Sequence, residues 1–393
     1  MNKKALIAMS GGVDSSVAAF LTKRQGFECI GASMKLFDNE DIWPAGEKNK
    51  ADSKISGGDN YGQNITANNI ASIGKSDITT GAEKSCCSLL DTQDARSVAH
   101  RLDMPFYVFN LSREFKKQII NRFIASYQNG ETPNPCIDCN RFMKFEILLA
   151  RAKTLQMDYI VTGHYAKIEY DGGTGRYLLK KGADTSKDQS YVLYAMTQEQ
   201  LKHTLFPLGE MTKSEIRKIA AGQGFVNADK RDSQDICFVR DGGYADFIEK
   251  YTGKKCKDGN FVDMHGKVLG RHKGLIRYTI GQRHGLGLSM PHPSYVVDLR
   301  PGENAVVVGK HEQLFSTSLQ VEDINLIPFD RLDAPLRAVV KIRYADPGHA
   351  ATVHQENEST LRIEFDEPQR AVTKGQSAVF YVGDTVIGGG IIR

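Results

Sequence analysis

The sequence predicts an α/β chain in three parts: a doubly wound parallel sheet at the N-terminus, a small central domain and a C-terminal antiparallel β-barrel. Strand-like and helix-like apolar segments alternate over roughly the first 200 residues, as in sheets built from strand–helix–strand units. From Gly259 onward the segments are short and are separated by Gly, Pro and Asn. With 393 residues, 40% of them hydrophobic, the chain is also longer than one core usually organises.

The N-terminal elements follow one another in strand–helix order. We expect strands at 3–9, 29–36, 105–111 and 158–162, and helices at 15–24, 88–102, 114–129, 212–224 and 245–251. Short C-terminal strands are expected at 295–298, 305–308, 338–342, 360–365, 378–381 and 386–387. The corresponding domains are 1–205, 206–275 and 276–393.

One stretch, from about 38 to 84, interrupts this order. It is rich in Gly, Asn, Ser, Asp and Lys and has no sustained apolar period. A loop of that length is uncommon inside a compact domain, so we interpret it as a flexible insertion. An ordered functional lid is the alternative.

The composition favours a cytoplasmic globular protein. The apolar run at 5–9 is too short for a signal peptide, and no later stretch approaches the ~20 apolar residues of a membrane span. In a reducing compartment, an odd count of seven cysteines favours thiol chemistry, ligands or core packing over a disulfide framework. The net charge of +4 permits binding to a polyanion, but it is much smaller than the charge of proteins with a basic nucleic-acid-binding tail.

A glycine- and serine-rich loop lies between the first expected strand and the first expected helix. Residues 10–16 read Ser-Gly-Gly-Val-Asp-Ser-Ser. Glycines let the backbone approach an oxyanion, serine hydroxyls can donate to phosphate oxygens, and a helix N-terminus attracts anions. The Gly-Lys-Ser/Thr ending of a Walker loop is missing. The loop therefore indicates a phosphate site of another kind, with a capped strand-to-helix turn as the alternative.

Two cysteines stand out by their context. Cys136 and Cys139 form a Cys-x-x-Cys after a Pro-rich turn, directly before a helix expected to begin near Arg141. A thiol at a helix N-terminus should have a lowered pKa and thus more reactive thiolate. A zinc knuckle is the alternative, although no second Cys-x-x-Cys supplies the remaining ligands. Cys237, between Ile and Phe, is by itself more typical of a buried core residue.

The 10–16 loop resembles the pyrophosphate loop of the N-type ATP pyrophosphatases. This resemblance implies an adenine-nucleotide alpha-hydrolase-like fold, ATP as a substrate, and adenylation of an acceptor with release of pyrophosphate. It also implies a role for Asp14 in organising Mg²⁺ around the leaving group, since hard carboxylate oxygens suit that ion.

Further blocks along nearly the whole chain, except the insertion, resemble the tRNA-specific 2-thiouridylase family. They are 10–16, 34–36, 86–88, 94–96, 132–140, 144–145, 162–166, 187–191, 232–238, 278–283 and 388–390. The family implies transfer of sulfur to the C2 position of the wobble uridine of tRNA, with Lys, Glu and Gln acceptors. It also implies a cysteine desulfurase or a sulfur-relay protein as the persulfide donor.

The resemblance assigns roles to individual residues of this sequence. Cys139 corresponds to the catalytic cysteine and Cys237 to the persulfide carrier, with a Cys139–Cys237 disulfide as by-product. We therefore expect the segment that carries Cys237 to fold back over the phosphate loop. ATP-binding positions are Ala8, Met9, Ser10, Gly11, Gly12, Val13, Asp14, Ser15, Met34 and Gly163. Positions that contact tRNA are Asn134, Pro135, Cys136, Lys187, Asp188, Gln189, Arg343 and Tyr344.

One position departs from the family pattern. Many members have Asp three residues before the nucleophile, where this chain has Cys136. A thiol is a poorer match than a carboxylate for that proton-transfer role. Two other functions remain open: an adenylating enzyme that passes the activated carbonyl to ammonia, and a non-catalytic zinc-containing RNA-binding module.

Overall fold

The computed structural model describes residues 3–37, 89–232, 236–239 and 243–393. The predicted insertion at about 38–84 lies outside the described residues, as do Cys86, Cys87 and Ser88 of the family blocks.

A five-stranded parallel sheet forms the centre of the N-terminal region, as predicted. The strands of this region are β1 Lys4–Ala8, β2 Glu28–Lys35, β3 Phe106–Asn110, β4 Tyr159–Val161, β5 Ala166–Asp171, β6 Arg176–Lys181 and β7 Thr204–Leu205. The sheet order is β3-β2-β1-β4-β7, and every pairing is parallel. Ala5, Leu6 and Ile7 are fully buried, as expected for a strand covered on both faces.

The described α-helices are α1 Val13–Arg24, α2 Leu89–Arg101, α3 Ser112–Phe115, α4 Asn121–Gln128, α5 Pro135–Asp138, α6 Leu149–Thr154, α7 Gln198–Lys202, α8 Lys213–Gly222 and α9 Gly243–Thr252. Of these, α1, α2 and α6 pack against β1, β2 and β4 of the sheet. Two π-helical stretches continue the chain between helices, at Lys116–Ile120 and Cys139–Leu148. Short 3₁₀ turns lie at Ser190–Leu193, Leu275–Arg277, Pro301–Glu303 and His311–Leu314.

The helix expected to begin near Arg141 begins earlier, at Pro135. Asn134 has an extended backbone, and its side chain accepts a hydrogen bond from the Cys136 N–H at 3.1 Å. Pro at the first helical position has the backbone angle that a helix requires. Cys136 therefore lies in the first turn of the helix, and Cys139 begins the π-helical stretch that follows.

A small four-stranded sheet forms the central part of the chain. Its strands are β8 Gly259–Val262, β9 Val268–His272, β10 Tyr295–Arg300 and β11 Ala305–Gly309, in the order β10-β11-β8-β9. The strands come from both sides of residue 275. The boundaries at 205/206 and 275/276 stay a prediction.

The C-terminal region is a closed antiparallel barrel, as predicted. Its strands are β12 Phe315–Leu326, β13 Leu336–Lys341, β14 His349–Gln355, β15 Leu361–Arg370, β16 Ser377–Val382 and β17 Thr385–Ile392. Pairing of β12 with both β15 and β17 closes the six strands. The β5–β6 hairpin, which the sequence analysis missed, extends the barrel sheet through pairing of β17 with β6.

One hydrophobic core joins the parallel sheet to the barrel. Leu6 and Ile30 of the sheet belong to the same buried cluster as Val379, Tyr381 and Val386 of the barrel. Within the described ranges, no helix combines the length and apolar character needed to cross a membrane.

Candidate active site

The phosphate loop is closed by its own hydroxyl groups. Ser15 Oγ and Ser16 Oγ each donate to the Gly12 carbonyl at 3.0 Å, and the Ser10 N–H donates to Ser15 Oγ at 3.2 Å. Gly12 is extended and precedes the first residue of α1. The loop thus leads directly into a helix N-terminus, where backbone N–H groups and the helix dipole favour an anion.

Two glycines allow neighbouring backbone to contact this loop. Gly11 has φ +75°, and a Cβ there would lie 2.1 Å from the carbonyl oxygen of Asp91. A Cβ on Gly163 would lie 2.7 Å from the Asp14 carbonyl carbon and 2.8 Å from the Ser15 nitrogen. The start of α2 and the end of β4 therefore contact the loop where no side chain fits. Gly163, an expected nucleotide-binding position, is in direct contact with it.

Two residues that follow α8 contact the loop. Asn227 Nδ2 donates to the Gly11 carbonyl at 2.9 Å and to Ser16 Oγ at 3.0 Å. Lys230 Nζ donates to the same carbonyl at 3.3 Å and pairs with Asp91 and Asp94. The expected fold-back of the Cys237 segment itself stays a prediction, because residues 233–235 lie outside the described residues. Asn227 and Lys230 carry no sequence motif, and their contacts join distant parts of the chain.

Asp14 is the centre of an ionic network. Its carboxylate accepts hydrogen bonds from the Tyr165 hydroxyl at 2.7 Å and from Lys213 Nζ at 2.7 and 2.8 Å. Lys213 also pairs with Asp232 at 2.7 Å, and Asp232 pairs with Lys187 at 2.8 Å. Burial and the Asp14 carboxylate raise the pKa of Tyr165 far above its ordinary value, so its hydroxyl remains a donor.

The protein groups do not form a magnesium site by themselves. Within the described part of the chain, no group of three or more His, Cys, Asp or Glu is suited to hold a metal ion. Mg²⁺ often uses one or two carboxylates together with substrate phosphates. Both oxygens of Asp14 already accept hydrogen bonds from Lys213. The expected role of Asp14 toward Mg²⁺ therefore does not fit the present arrangement.

The three segments expected to contact tRNA meet around Tyr344. Its hydroxyl donates to the Asp188 carbonyl at 3.3 Å, and its ring contacts Tyr191 edge to face at 5.9 Å. Burial raises the pKa of Tyr344, as do nearby Asp188 and Cys136, whereas Lys187 acts in the opposite direction. The structure therefore brings 134–136, 187–189 and 343–344 together.

Within these segments, some side chains hold the fold. The Asp188 carboxylate accepts bonds from the Gly182 N–H, the Ser190 N–H and the Ser190 hydroxyl at 2.8 to 3.2 Å. Gln189 Oε1 accepts from the Tyr165 N–H at 3.1 Å. Arg343 is about half exposed. Direct RNA contact therefore suits Arg343 and Tyr344 better than Asp188 and Gln189.

The two expected catalytic cysteines contact the same hydrophobic cluster, which includes Phe115, Phe123 and Phe238. Phe238 is buried, with its ring 5.1 Å from that of Phe123, and it fixes the position of the adjacent Cys237. Cys139 and Cys237 are thiols in this structure and do not form the implied disulfide. Cys139 and Cys237 therefore border the same hydrophobic cluster, and their expected catalytic roles stay a prediction.

Neighbours of Cys139 connect it to other parts of the molecule. Asn140 is buried, and its Nδ2 donates to the Val192 carbonyl at 3.1 Å. Arg141 forms a two-point pair with Asp323 of β12, with one of its hydrogen bonds at 3.1 Å. Asn134 and Arg141 also line a polar cavity between this helical segment and the barrel. The cysteine helix is therefore held directly against the barrel.

His164 follows β4 and Met34 lies near the end of β2, the two strands that pair with β1. His164 is buried, with Nδ1 2.7 Å from Thr162 Oγ1 and Nε2 3.2 Å from Lys144 Nζ. Burial and the Lys144 charge hold the pKa of His164 well below its ordinary value, so the ring is neutral. Met34 is half-buried and packs against two core clusters. The adenine contact expected of Met34 stays a prediction.

Family models match the chain in three consecutive ranges. A model described as the tRNA methyl transferase HUP domain matches residues 3–56 and 59–241. One described as the tRNA methyl transferase PRC-barrel domain matches 245–310. One described as the aminomethyltransferase beta-barrel domain matches 316–392.

Curated relatives match over their full length. A protein of Clostridioides difficile (strain 630), named tRNA-specific 2-thiouridylase MnmA, is 47% identical over 100% of this chain and 99% of its own. Relatives with the same name in Caldicellulosiruptor saccharolyticus and Moorella thermoacetica are each 48% identical, covering 99% or more of this chain and 99% of their own. A solved 4-thiouridine synthetase–RNA complex with bound ATP matches over 60% of this chain and 44% of that chain, at 16% identity and a TM-score of 0.35.

The extent and identity of these matches, together with the loop and cysteine blocks along the chain, show that it belongs to the tRNA-specific 2-thiouridylase family.

Proposed function

We propose that this tRNA-uridine 2-sulfurtransferase activates the C2 carbonyl of the wobble uridine with ATP and replaces its oxygen with sulfur carried on Cys237. One observation carries the proposal. Asn227 and Lys230, which precede Cys237 in the chain, bond to the phosphate loop, while Cys237 and Cys139 contact one hydrophobic cluster. These contacts support a site in which the phosphate loop and the two thiols act on one substrate.

In the first step, the C2 oxygen of uridine attacks the α-phosphate of ATP and pyrophosphate leaves. The loop and the α1 N-terminus hold the phosphates through backbone N–H groups, and Lys213 and Lys230 supply positive charge close by. Mg²⁺ is proposed only as an ion bound to the ATP phosphates, without a protein site of its own. The uridine C2 is then bonded to an AMP leaving group.

In the second step, the terminal sulfur of the Cys237 persulfide attacks C2, and AMP leaves with the former carbonyl oxygen. The Cys139 thiolate then attacks Cys237 Sγ, which breaks the sulfur–sulfur bond and releases 2-thiouridine. The two cysteine thiols supply the two electrons that reduce the transferred sulfur, and they end as a disulfide. A thiol reductant must open this disulfide before the next turnover.

The RNA partner is proposed to be tRNA with Lys, Glu or Gln identity. Arg343 can bind phosphates and Tyr344 can stack on a base, with Lys187 close to Tyr344. The persulfide is proposed to come from a cysteine desulfurase or a sulfur-relay protein, with all partners in the cytoplasm. Cys136 is exposed in the first helical turn beside Tyr344, and it is a weaker candidate for proton transfer than the carboxylate of other family members.

The matching family model is described as a tRNA methyl transferase domain, whereas the full-length relatives are named thiouridylases. The paired cysteines favour sulfur transfer. A direct test incubates the protein with unmodified tRNA, ATP, Mg²⁺ and a protein persulfide donor, followed by mass spectrometry of the nucleosides. We expect 2-thiouridine at the wobble position, made by the unaltered chain and by Cys256→Ala but not by Cys237→Ala.

Cys256 is a matched control, since it is a thiol at the periphery of the same cluster. Full activity of Cys237→Ala with the persulfide donor would refute the proposed carrier. Formation of a methylated nucleoside in place of 2-thiouridine would refute sulfur transfer altogether.

A further inference from the structure

A buried carboxylate belongs to the turn that carries Arg343 and Tyr344. This turn connects β13 to β14, and the Asp346 N–H donates to the Arg343 carbonyl across it at 3.1 Å. The Asp346 side chain is 0% exposed, although Arg343 and Tyr344 of the same turn are each nearly half exposed. Removing a carboxylate from water costs free energy unless cations or hydrogen bonds offset that cost. The partners of Asp346 therefore matter.

The two oxygens of the Asp346 carboxylate have different surroundings. Oδ1 accepts a hydrogen bond from the Gly348 N–H at 2.8 Å, and His349 Nε2 lies 3.1 Å from the same oxygen. Oδ2 has no hydrogen-bond partner in the described part of the chain, and Arg343 Nε lies 3.9 Å from it. A charged N–H···O hydrogen bond measures about 2.8 Å, so a shift of the Arg343 side chain by about 1 Å would form it. Because buried polar atoms are normally hydrogen-bonded, Oδ2 is suited to accept from Arg343.

The orientation of the Arg343 guanidinium determines what it can bind. A guanidinium has one N–H donor on Nε and two on each terminal nitrogen. When Nε donates to Asp346, the edge formed by the two terminal nitrogens remains available. Two parallel N–H donors on that edge match two oxygens of one phosphate group. The neighbouring Tyr344 is also fixed in place, since its hydroxyl donates to the Asp188 carbonyl at 3.3 Å.

We propose that Asp346 is a positioning residue that holds Arg343 through Nε, so that the two terminal nitrogens bind two oxygens of one RNA backbone phosphate. Arg343 then binds the backbone while the adjacent Tyr344 contacts a base. Because Asp346 is inaccessible to solvent, RNA can reach the guanidinium but not the carboxylate, which has the same sign of charge as the phosphate. The inference rests on the proposed function, because it takes Arg343 and Tyr344 as tRNA contacts.

The test measures binding of end-labelled, unmodified tRNA of Lys identity by fluorescence anisotropy at one fixed salt concentration. Arg343→Ala should raise the dissociation constant about tenfold, because a two-point charged contact is lost. Arg343→Lys keeps the charge but has a single nitrogen, so it should still raise the constant at least about threefold. Asp346→Asn should do the same, because its amide oxygen stays on the Gly348 N–H and its amide nitrogen then faces Arg343. The KM for tRNA should rise in these variants, while the KM for ATP should not change.

A double variant separates positioning of Arg343 from general stabilisation of the turn. When Asp346→Asn is added to Arg343→Ala, the dissociation constant should rise by less than about 1.5-fold further, because the residue that Asp346 positions is gone. An equal loss of affinity from Asp346→Asn in the presence and absence of the Arg343 side chain would overturn the proposal.

The Arg337–Asp366 pair provides matched controls, since it lies on the same barrel, is exposed and has a contact distance of 2.7 Å. Arg337→Lys and Asp366→Asn should bind tRNA as the unaltered protein does. If Arg343→Ala weakens tRNA binding but Arg343→Lys or Asp346→Asn binds normally, the positioning is wrong and the proposed tRNA contact stands. If Arg343→Ala and Tyr344→Ala both bind tRNA normally, the proposed contact fails, and the positioning fails with it.

Discussion

Single glycines determine whether the phosphate loop can form. Gly163→Ala would place a methyl group within 2.8 Å of loop backbone atoms that belong to Asp14 and Ser15. We expect the KM for ATP to rise at least about tenfold, because the phosphate-binding N–H groups are displaced. The free energy of unfolding should fall by about 1–3 kcal/mol, as for other overpacked sites.

Gly222→Ala is the matched control, since a Cβ there meets nothing within 4 Å. It should keep the KM of the unaltered enzyme and change stability by less than about 1 kcal/mol. Steady-state kinetics with ATP and denaturant unfolding check both variants. Equal KM values in the two would contradict the close contact between β4 and the loop.

His164 predicts a pH dependence of stability. Its pKa is held well below the ordinary 6.5 by burial and by Lys144, so the unfolded chain binds a proton that the folded chain does not. Its contribution to stability is therefore full above pH 6.5 and is lost as the pH falls toward the depressed folded value. The slope contributed by this residue should approach about 1.4 kcal/mol per pH unit. Unfolding curves of the unaltered protein and His164→Gln between neutral and mildly acidic pH measure it, and identical slopes would refute the prediction.

Some site residues could be predicted from the sequence and others could not. The Ser10–Ser16 loop is a local strand-to-helix motif, so its residues and its position before a helix can both be recognised in the sequence. Lys213, Asn227 and Lys230 carry no motif of their own. They reach the loop from about 200 residues further along the chain, and only the folded structure shows those contacts.

Among the elements, helix α8 has a particular role because it begins with Lys213. Its capping box pairs Thr212 with Glu215: the Thr212 N–H donates to the Glu215 carboxylate at 2.8 Å, and Thr212 Oγ1 accepts from the Glu215 N–H at 3.4 Å. Thr212→Ala should cost about 1 kcal/mol of stability. It should also raise the KM for ATP, because the frayed helix start no longer positions Lys213.

The capping box of α7, formed by Thr197 and Gln200, provides the comparison. Thr197→Ala removes the same kind of cap and should cost a similar free energy, with no change in the KM for ATP. Thermal unfolding and ATP kinetics of the two variants distinguish the general cost of losing a helix cap from a specific effect on ATP binding. A parallel rise of KM in both would show that α8 has no special role.

The elements also show where sequence patterns mislead. The helix after the Pro-rich turn was expected near Arg141, yet the Asn134 cap and Pro135 start it earlier. The β5–β6 hairpin was missed although its turn contains Gly172, Gly173 and Gly175. Its strands are largely polar, and β6 pairs with a barrel strand far along the chain, so local apolar periodicity gives little indication of the hairpin.

At the level of the whole molecule, the shared core predicts joint unfolding of the parallel sheet and the barrel. Leu179 of β6 is fully buried in the cluster that also contains Leu6 and Val386. Leu179→Ala should lower stability by about 2–5 kcal/mol and shift one common calorimetric transition. The exposed Val382→Ala should leave that transition nearly unchanged. Two separate transitions, with only one of them shifted by Leu179→Ala, would contradict a continuous core.

The overall architecture was readable from the sequence because alternating strands and helices, followed by short strands, specify the sheet and the barrel. The way the barrel attaches was not readable. It depends on the Arg141–Asp323 pair and on the β17–β6 pairing, which join residues far apart in the chain. Long-range contacts of this kind have no signature in local periodicity.

The most direct measurement of the central claim is a single turnover with protein that already carries a persulfide on Cys237. It is mixed with ATP, Mg²⁺ and unmodified tRNA without another sulfur donor, and both the nucleosides and the cysteine peptides are read by mass spectrometry. The account predicts 2-thiouridine in proportion to the persulfide consumed, together with AMP, pyrophosphate and a Cys139–Cys237 disulfide. Thiolated tRNA with the Cys237 persulfide still intact would contradict it.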